Sequence, residues 1–129
     1  MKTVGYNLID AEIGDGHIED YYKEAIMVDF ANKSIGGGIL GNGAVQEEIL
    51  FAIFPELIGT ICFCPDLADD EALIFYNAER FNDYEGYSTD FKFTGNYKHK
   101  ENKSEKSIIV AIDAVDYKSK MKNVQYLQK

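Results

Sequence analysis

The chain has 129 residues, of which 46% are hydrophobic and 27% charged, and its formal net charge is −9. That length suits one domain with a real core and is too short for two. The acidic balance opposes a general electrostatic clamp on nucleic acid, and no run approaches the ~18 apolar residues of a membrane span.

The opening stretch MKTVGYNLID lacks the apolar centre of a secretory signal, so an intracellular location, nuclear or cytoplasmic, is expected. Ala25-Ile26-Met27-Val28 is an apolar, β-branched run that predicts a buried strand ending near Phe30. Gly36 to Gly43 holds five glycines in eight residues and predicts a loop. Beyond Val45, the apolar residues Ile49, Leu50, Ile53, Phe54, Leu57 and Ile58 recur in steps of one, three and four. That stripe places a helix start close to Gln46, and Pro55 should end or kink the helix at about Phe54. Cys62 and Cys64 are the only cysteines, one residue apart in TICFCPD. Such spacing disfavours a bridge and matches no zinc pattern, so two buried thiols are expected.

EALIFYNAE, residues 71–79, predicts a second buried strand. A turn at Gly86 then precedes the alternation Thr89, Phe91, Phe93, which predicts a half-buried strand. KHKENKSEK, residues 98–106, interrupts four Lys with two Glu and predicts a solvated loop. SIIVAIDAV, residues 107–115, predicts a further buried strand. Near-continuous apolar strands separated by helical segments indicate an α/β fold with a mixed sheet. About a dozen residues follow the last strand, which leaves little chain to cover its far side, so an apolar face or an unpaired sheet edge is expected, and with it either self-association through that edge or marginal stability.

Gly36, Gly38 and Gly41 formally satisfy G-x-G-x-x-G between a strand and a helix. The dinucleotide reading is weak, because NKSI separates the strand end from the first glycine and no acidic residue ends a strand about 20 positions on. No Gly-Lys-Ser/Thr follows, which excludes a Walker P-loop. A glycine loop before a helix start can still aim free amides and a positive dipole end at one place. It would be an anion site built without lysine, suited to a phosphate or diphosphate; a plain flexible turn is the alternative. Gln46, Glu47 and Glu48 fall in the first helical turn, where acidic residues also serve simply to offset the dipole. Adjacent helical residues diverge by about 100°, so Glu47 and Glu48 are not a facing carboxylate pair. One could act as an acid while its neighbour orients a substrate. Asp29 and Asn32 flank the strand end, where Asn suits ribose hydroxyls or an ordinary Asx turn.

Taken together, GHIED, VDFANKSIGGGILGNGAVQEEILFAIFPELI, EALIFYNAERFNDYEGYSTDFKF and IVAIDAV resemble the poly(ADP-ribose) glycohydrolase family, whose fold is a macrodomain. The glycine triplet followed at this distance by Gln-Glu-Glu is the specific signature, and the likeness runs from about residue 13 to about residue 117. It implies hydrolysis of the ribose–ribose O-glycosidic bonds of poly(ADP-ribose), releasing ADP-ribose. By motif position Glu48 would be the general acid that protonates the leaving ribose oxygen, before water attacks. The catalytic set is expected to comprise Glu48, Glu47 and Asp29, with Glu47 and Asn32 holding ribose hydroxyls. Gln46 matches a substrate contact, and Ile18 and Glu19 the pair that meets the adenine. Tyr87 matches an aromatic that closes over the ligand by stacking. Gly36, Gly37 and Gly38 would take the diphosphate side.

The resemblance implies no metal and no cofactor. Its implied partners are poly(ADP-ribose) or ADP-ribosylated proteins, in the reversal of ADP-ribosylation and the DNA damage response. Sequence-specific nucleic-acid binding and membrane association are not expected. Family members continue past IVAIDA with a helical segment and a second glycine- and aromatic-rich loop that grips the diphosphate, and they carry N-terminal accessory helices. They also place acidic residues and an arginine pair where this chain has KHKENKSEK. Residues 1–129 are therefore expected to form a single domain, the N-terminal part of such a macrodomain, incomplete at its C-terminal side. Two outcomes stay open: an active glycohydrolase, or a truncated or degenerate macrodomain with weak or no ADP-ribose binding and no catalysis.

Overall fold

The computed structural model describes residue 11 and residues 13–21, 25–99 and 106–114. Its elements are β1 (Met27–Ala31), α1 (Gln46–Ile53), β2 (Ala72–Glu79), β3 (Asn82–Glu85), β4 (Lys92–Asn96) and β5 (Lys106–Asp113). Short 3-10 segments cover Ile18–Tyr21, Pro55–Cys62 and Ser88–Asp90. The main sheet has the order β1-β5-β2, with β1 parallel and β2 antiparallel to β5. This is the mixed sheet expected from the apolar runs. β3 and β4 form a separate antiparallel hairpin. Among the described residues no helix is long and apolar enough to cross a membrane.

The core lies on one face of the main sheet. Met27, Asp29 and Ala31 of β1, Ile109 and Ala111 of β5, and Phe75 and Ala78 of β2 are all buried. α1 packs there through Ile49, Leu50, Phe51 and Ile53, and Phe54 and Leu57 carry the apolar stripe into the 3-10 segment. Phe51 meets Phe75 edge-on, with ring centroids 6.3 Å apart. Pro55 has no N–H to continue the α-helical ladder, and α1 accordingly ends at Ile53. Its last carbonyls are not wasted: Asn82 Nδ2 donates to the Ala52 carbonyl at 2.7 Å, and the Phe81 N–H donates to the Ile53 carbonyl at 2.9 Å. The residues linking β2 to β3 thus fix the hairpin against the helix end.

Two expectations are corrected. Thr89, Phe91 and Phe93 do not lie in one strand: Ser88–Asp90 is a 3-10 turn and β4 begins only at Lys92. Gly86 does turn the chain, with φ +76°, and a Cβ there would collide with the Asp90 carbonyl. Phe91 turns inward to pack on Tyr84, ring centroids 5.7 Å apart, while Thr89 and Phe93 stay exposed. The second correction concerns the thiols: Cys62 is exposed and Cys64 half-buried, both free, because the 3-10 segment leaves the core at its C-terminal end. Of KHKENKSEK, Lys98 is exposed, His99 lies 3.5 Å from Glu79, and Lys106 already belongs to β5. The remainder of that stretch, and Val115, lie outside the described residues.

Candidate active site

The site grows from the carboxyl ends of the parallel strands β1 and β5. Chain leaving β1 runs through the glycine loop and returns as α1, so the helix N-terminus stands beside those strand ends. Open α/β sheets hold ligands at this place. A cleft of about 350 Å³ opens there, lined by Phe30, Ala31, Asn32, Lys33, Val45, Glu47, Glu48, Asp113 and Ala114.

The glycine loop is folded around the two glutamates. Glu47 accepts the Asn32 N–H on Oε2 at 2.8 Å and the Gly36 N–H on Oε1 at 2.6 Å. Glu48 accepts the Gly38 N–H on Oε1 at 2.7 Å and the Val45 N–H on Oε2 at 3.0 Å. The Val45 bond is half of a capping box, the N3 side chain reaching back to the N-cap amide; Val45 has no acceptor with which to return it. Gly37 donates its own N–H to the Ser34 carbonyl at 3.2 Å. The N–H groups of Gly36, Gly37 and Gly38 are therefore all used inside the protein, in contrast to the expected free amides. The glycines leave room for carboxylates: a Cβ on Gly37 would stand 2.5 Å from Glu48 Oε1 and 2.7 Å from Glu47 Oε2.

Gly43 tests this reading, since its φ is not in the positive range that disfavours a side chain. A Cβ there would stand 2.6–2.8 Å from Oε1, Cδ and Cγ of Glu48. Gly43→Ala is expected to push Glu48 off the Gly38 and Val45 amides and to cost about 1–3 kcal/mol. Gly59→Ala, where nothing lies within 4 Å, is the matched control and should leave the melting temperature almost unchanged. Equal melting temperatures for the two variants would refute a tightly seated Glu48.

Beneath the glutamates lies Asp29. It is fully buried, and among the described residues neither carboxylate oxygen has a hydrogen-bond partner. Burial, followed by the charges of Glu47 and Glu48, pushes its pKa from 3.8 up to about 7. Glu47 is also raised, chiefly by burial, although its bonds from Asn32 and Gly36 pull the other way. Asp113, at the end of β5, adds a smaller upward push on Glu47. Three acidic side chains thus converge at a positive helix end that offsets part of their repulsion.

A family model for poly(ADP-ribose) glycohydrolase, macro domain fold, matches residues 4–129. This chain belongs to the poly(ADP-ribose) glycohydrolase family. Poly(ADP-ribose) glycohydrolase 1 of Arabidopsis thaliana is 49% identical over 104 residues, 78% of this chain and 19% of that protein. The probable poly(ADP-ribose) glycohydrolase 2 of the same plant is 39% identical over 104 residues, 78% of this chain and 20% of that protein. Poly(ADP-ribose) glycohydrolase 2 of Caenorhabditis elegans is 45% identical over 67 residues, 52% of this chain and 14% of that protein. The chain thus spans about a fifth of the length of the Arabidopsis relatives it matches.

Within this member of the poly(ADP-ribose) glycohydrolase family the structure brings some of the expected site residues to the cleft and places others outside its lining. Asn32, Glu47 and Glu48 share the cleft. Asn32 accepts the Ser34 N–H on Oδ1 at 3.1 Å, the Asx turn, and its exposed Nδ2 remains for other contacts. Gln46 instead lies along β1: its Oε1 accepts the Phe30 N–H at 2.8 Å and its Nε2 donates to the Val28 carbonyl at 2.9 Å. Its amide finishes the open edge of the strand. Ile18 and Glu19 stand apart from the cleft lining, in the 3-10 segment against β1. The Tyr84 hydroxyl donates to Glu19 Oε1, and burial together with that bond raises the Tyr84 pKa. Arg80 sits between these groups, donating to the Glu19 carbonyl at 3.5 Å and pairing with Asp83 at 2.7 Å. Tyr87 is exposed outside the cleft lining, held near the glycine loop by the Ser88 N–H, which donates to the Ala44 carbonyl at 2.8 Å.

Sequence reading missed Phe30, Lys33, Val45, Asp113 and Ala114 as cleft residues. Lys33 puts a cation at the lining of a cleft that sequence reading had described as built without lysine. Its position immediately after Asn32 was the available signal. Asp113 gave a weaker one, as the single charge ending the apolar run of β5.

Proposed function

We propose that this chain hydrolyses the ribose–ribose O-glycosidic bonds of poly(ADP-ribose), free or on ADP-ribosylated proteins, and releases ADP-ribose. The observation that supports it most is the Glu48 carboxyl, anchored by the Gly38 and Val45 amides at the wall of the cleft with Glu47 beside it. Each Glu48 oxygen accepts one amide hydrogen and keeps a lone pair uncommitted. One of these can carry the proton that passes to the leaving ribose oxygen as the glycosidic C–O bond breaks. Water then adds to the oxocarbenium-like carbon, and the Glu48 carboxylate accepts the proton that water releases. Glu47 and the Nδ2 of Asn32 would hold ribose hydroxyls, and Lys33 would meet phosphate charge. Asp29 would act from beneath, on the glutamates rather than on the substrate.

One observation favours a second reading, a macrodomain that binds ADP-ribose weakly and does not catalyse. The N–H groups of Gly36, Gly37 and Gly38 are already committed, so the loop offers none of the three to a diphosphate. Two measurements on the 129-residue chain separate the readings: ADP-ribose release from poly(ADP-ribose), and calorimetric titration with ADP-ribose. Release supports the glycohydrolase. Heat of binding without release supports the second reading. Neither signal from a folded chain would remove the glycohydrolase and leave a macrodomain without binding or catalysis.

A further inference from the structure

We propose that Gln46 is a positioning residue: its side-chain amide clamps the first turn of α1 to β1 and so holds Glu47 and Glu48 over Asp29. Its Oε1 accepts the Phe30 N–H at 2.8 Å, and its Nε2 donates to the Val28 carbonyl at 2.9 Å. These bonds span 16 and 18 residues of chain. Val28 and Phe30 are the residues on either side of Asp29. The clamp therefore grips β1 on both sides of the buried carboxyl, and it does so from the residue that precedes the two glutamates.

The first turn of α1 needs such a hold. Val45, at its N-cap, has no side-chain acceptor to offer the helix amides. Glu47 and Glu48 stand close enough for their charges to act on Asp29, and burial keeps water from screening the three. When all are ionised, their repulsion drives the helix turn and the strand apart. The bonds of the two glutamates run to Asn32, Gly36, Gly38 and Val45, in chain that can move with the turn. The Gln46 bonds reach the strand itself. One neutral amide supplies both the acceptor and the donor that β1 requires, and it adds no charge to an acidic cluster. The link to function rests on the glycohydrolase reading. There, Glu48 gains a negative charge when it gives up its proton, and the clamp keeps the carboxylate in place to recover one.

Hydrogen exchange of the full chain near neutral pH, read amide by amide by NMR, tests the clamp without requiring catalysis. Gln46→Met keeps the length of the side chain and removes both bonds. The Phe30 amide should then exchange roughly tenfold faster. So should the Gly36 and Gly38 amides, which are held by Glu47 and Glu48. Amides of the β2–β5 ladder should keep their rates. Adding Asp29→Asn should return part of the lost protection at Gly36 and Gly38 and none at Phe30, because it relieves the repulsion without replacing the missing bond. If Gln46→Met alone does not fold, the double variant is compared with Asp29→Asn in the same way. In ADP-ribose release, Gln46→Met should lower kcat roughly 10–100-fold and change KM little. A raised KM with unchanged Gly36 and Gly38 amides would make Gln46 a substrate contact and overturn the clamp. Faster exchange confined to Phe30, or shared equally by the β2–β5 ladder, would overturn it too. Joint loosening of the three amides in a chain that releases no ADP-ribose would uphold the clamp and sink the glycohydrolase reading instead.

Discussion

Glu48→Gln is expected to lower ADP-ribose release by about 10²–10⁴-fold, the span of a lost general acid. The same substitution should also cost the fold about 1–3 kcal/mol. That second effect follows from the seating of the side chain. Both Glu48 oxygens accept backbone N–H groups, at 2.7 and 3.0 Å. Gln offers one acceptor, so its NH₂ must face a second donor, and one amide of the loop loses its partner. Loss of activity alone would therefore not distinguish an acid from a strut. Glu47→Gln supplies the comparison, because both Glu47 oxygens accept N–H groups in the same way, at 2.8 and 2.6 Å. Its structural cost should be similar. With Glu48 as the acid and Glu47 as a ribose ligand, Glu48→Gln lowers kcat and Glu47→Gln mainly raises KM. Equal losses of kcat in two variants of equal melting temperature would reduce Glu48 to a structural role.

Asp29→Asn is expected to stabilise the protein at neutral and alkaline pH. The folded chain holds the Asp29 proton up to about pH 7, against 3.8 for an unperturbed carboxyl. Between those values the folded state binds a proton that the unfolded state has released, so stability falls as pH rises through the window. Below it the wild type pays no ionisation penalty, and above it the penalty is complete. The difference corresponds to a penalty on the order of 4 kcal/mol. Asn keeps the shape and cannot ionise. Melting curves should show the wild type losing stability from about pH 4 to pH 7 and Asp29→Asn losing much less, with a residual slope from the raised Glu47. At pH 8 the variant should melt higher, by roughly 5 °C or more. Parallel curves would show that Asp29 ionises in the folded protein without strain. Retaining a buried, unpartnered carboxyl at such a cost is the usual pattern of a functional site, and the stabilised variant is expected to lose activity.

Much of the frame was legible from periodicity. The apolar run at residues 25–28 became part of β1, the stripe beginning at Ile49 became α1 from Gln46, and the apolar runs EALIFYNAE and SIIVAIDAV became β2 and β5. Each depends on a local pattern that one buried face imposes on the chain. Thr89, Phe91 and Phe93 misled because alternation over so few residues is weak against the turn demanded by Gly86 and the pull of the Tyr84 ring on Phe91. Cys62 and Cys64 misled because a thiol's usual burial is a statistical habit, and here the segment carrying them turns away from the core.

The family and the succession β1, α1, β2 and β5 were legible in the sequence, the family because the DFANK, triple-glycine and Gln-Glu-Glu spacing sits in one continuous stretch. The same stretch also determined which carboxylates belong to the loop. Only the tertiary structure decided what the loop amides bind. They fold back onto Glu47 and Glu48, because α1 returns the helix N-terminus to the turn that precedes it. Likewise only the β1–β5 register brings Asp113 beside Ala31 and into the cleft. Which groups share a cleft depends on contacts distant in sequence, and no local pattern records them.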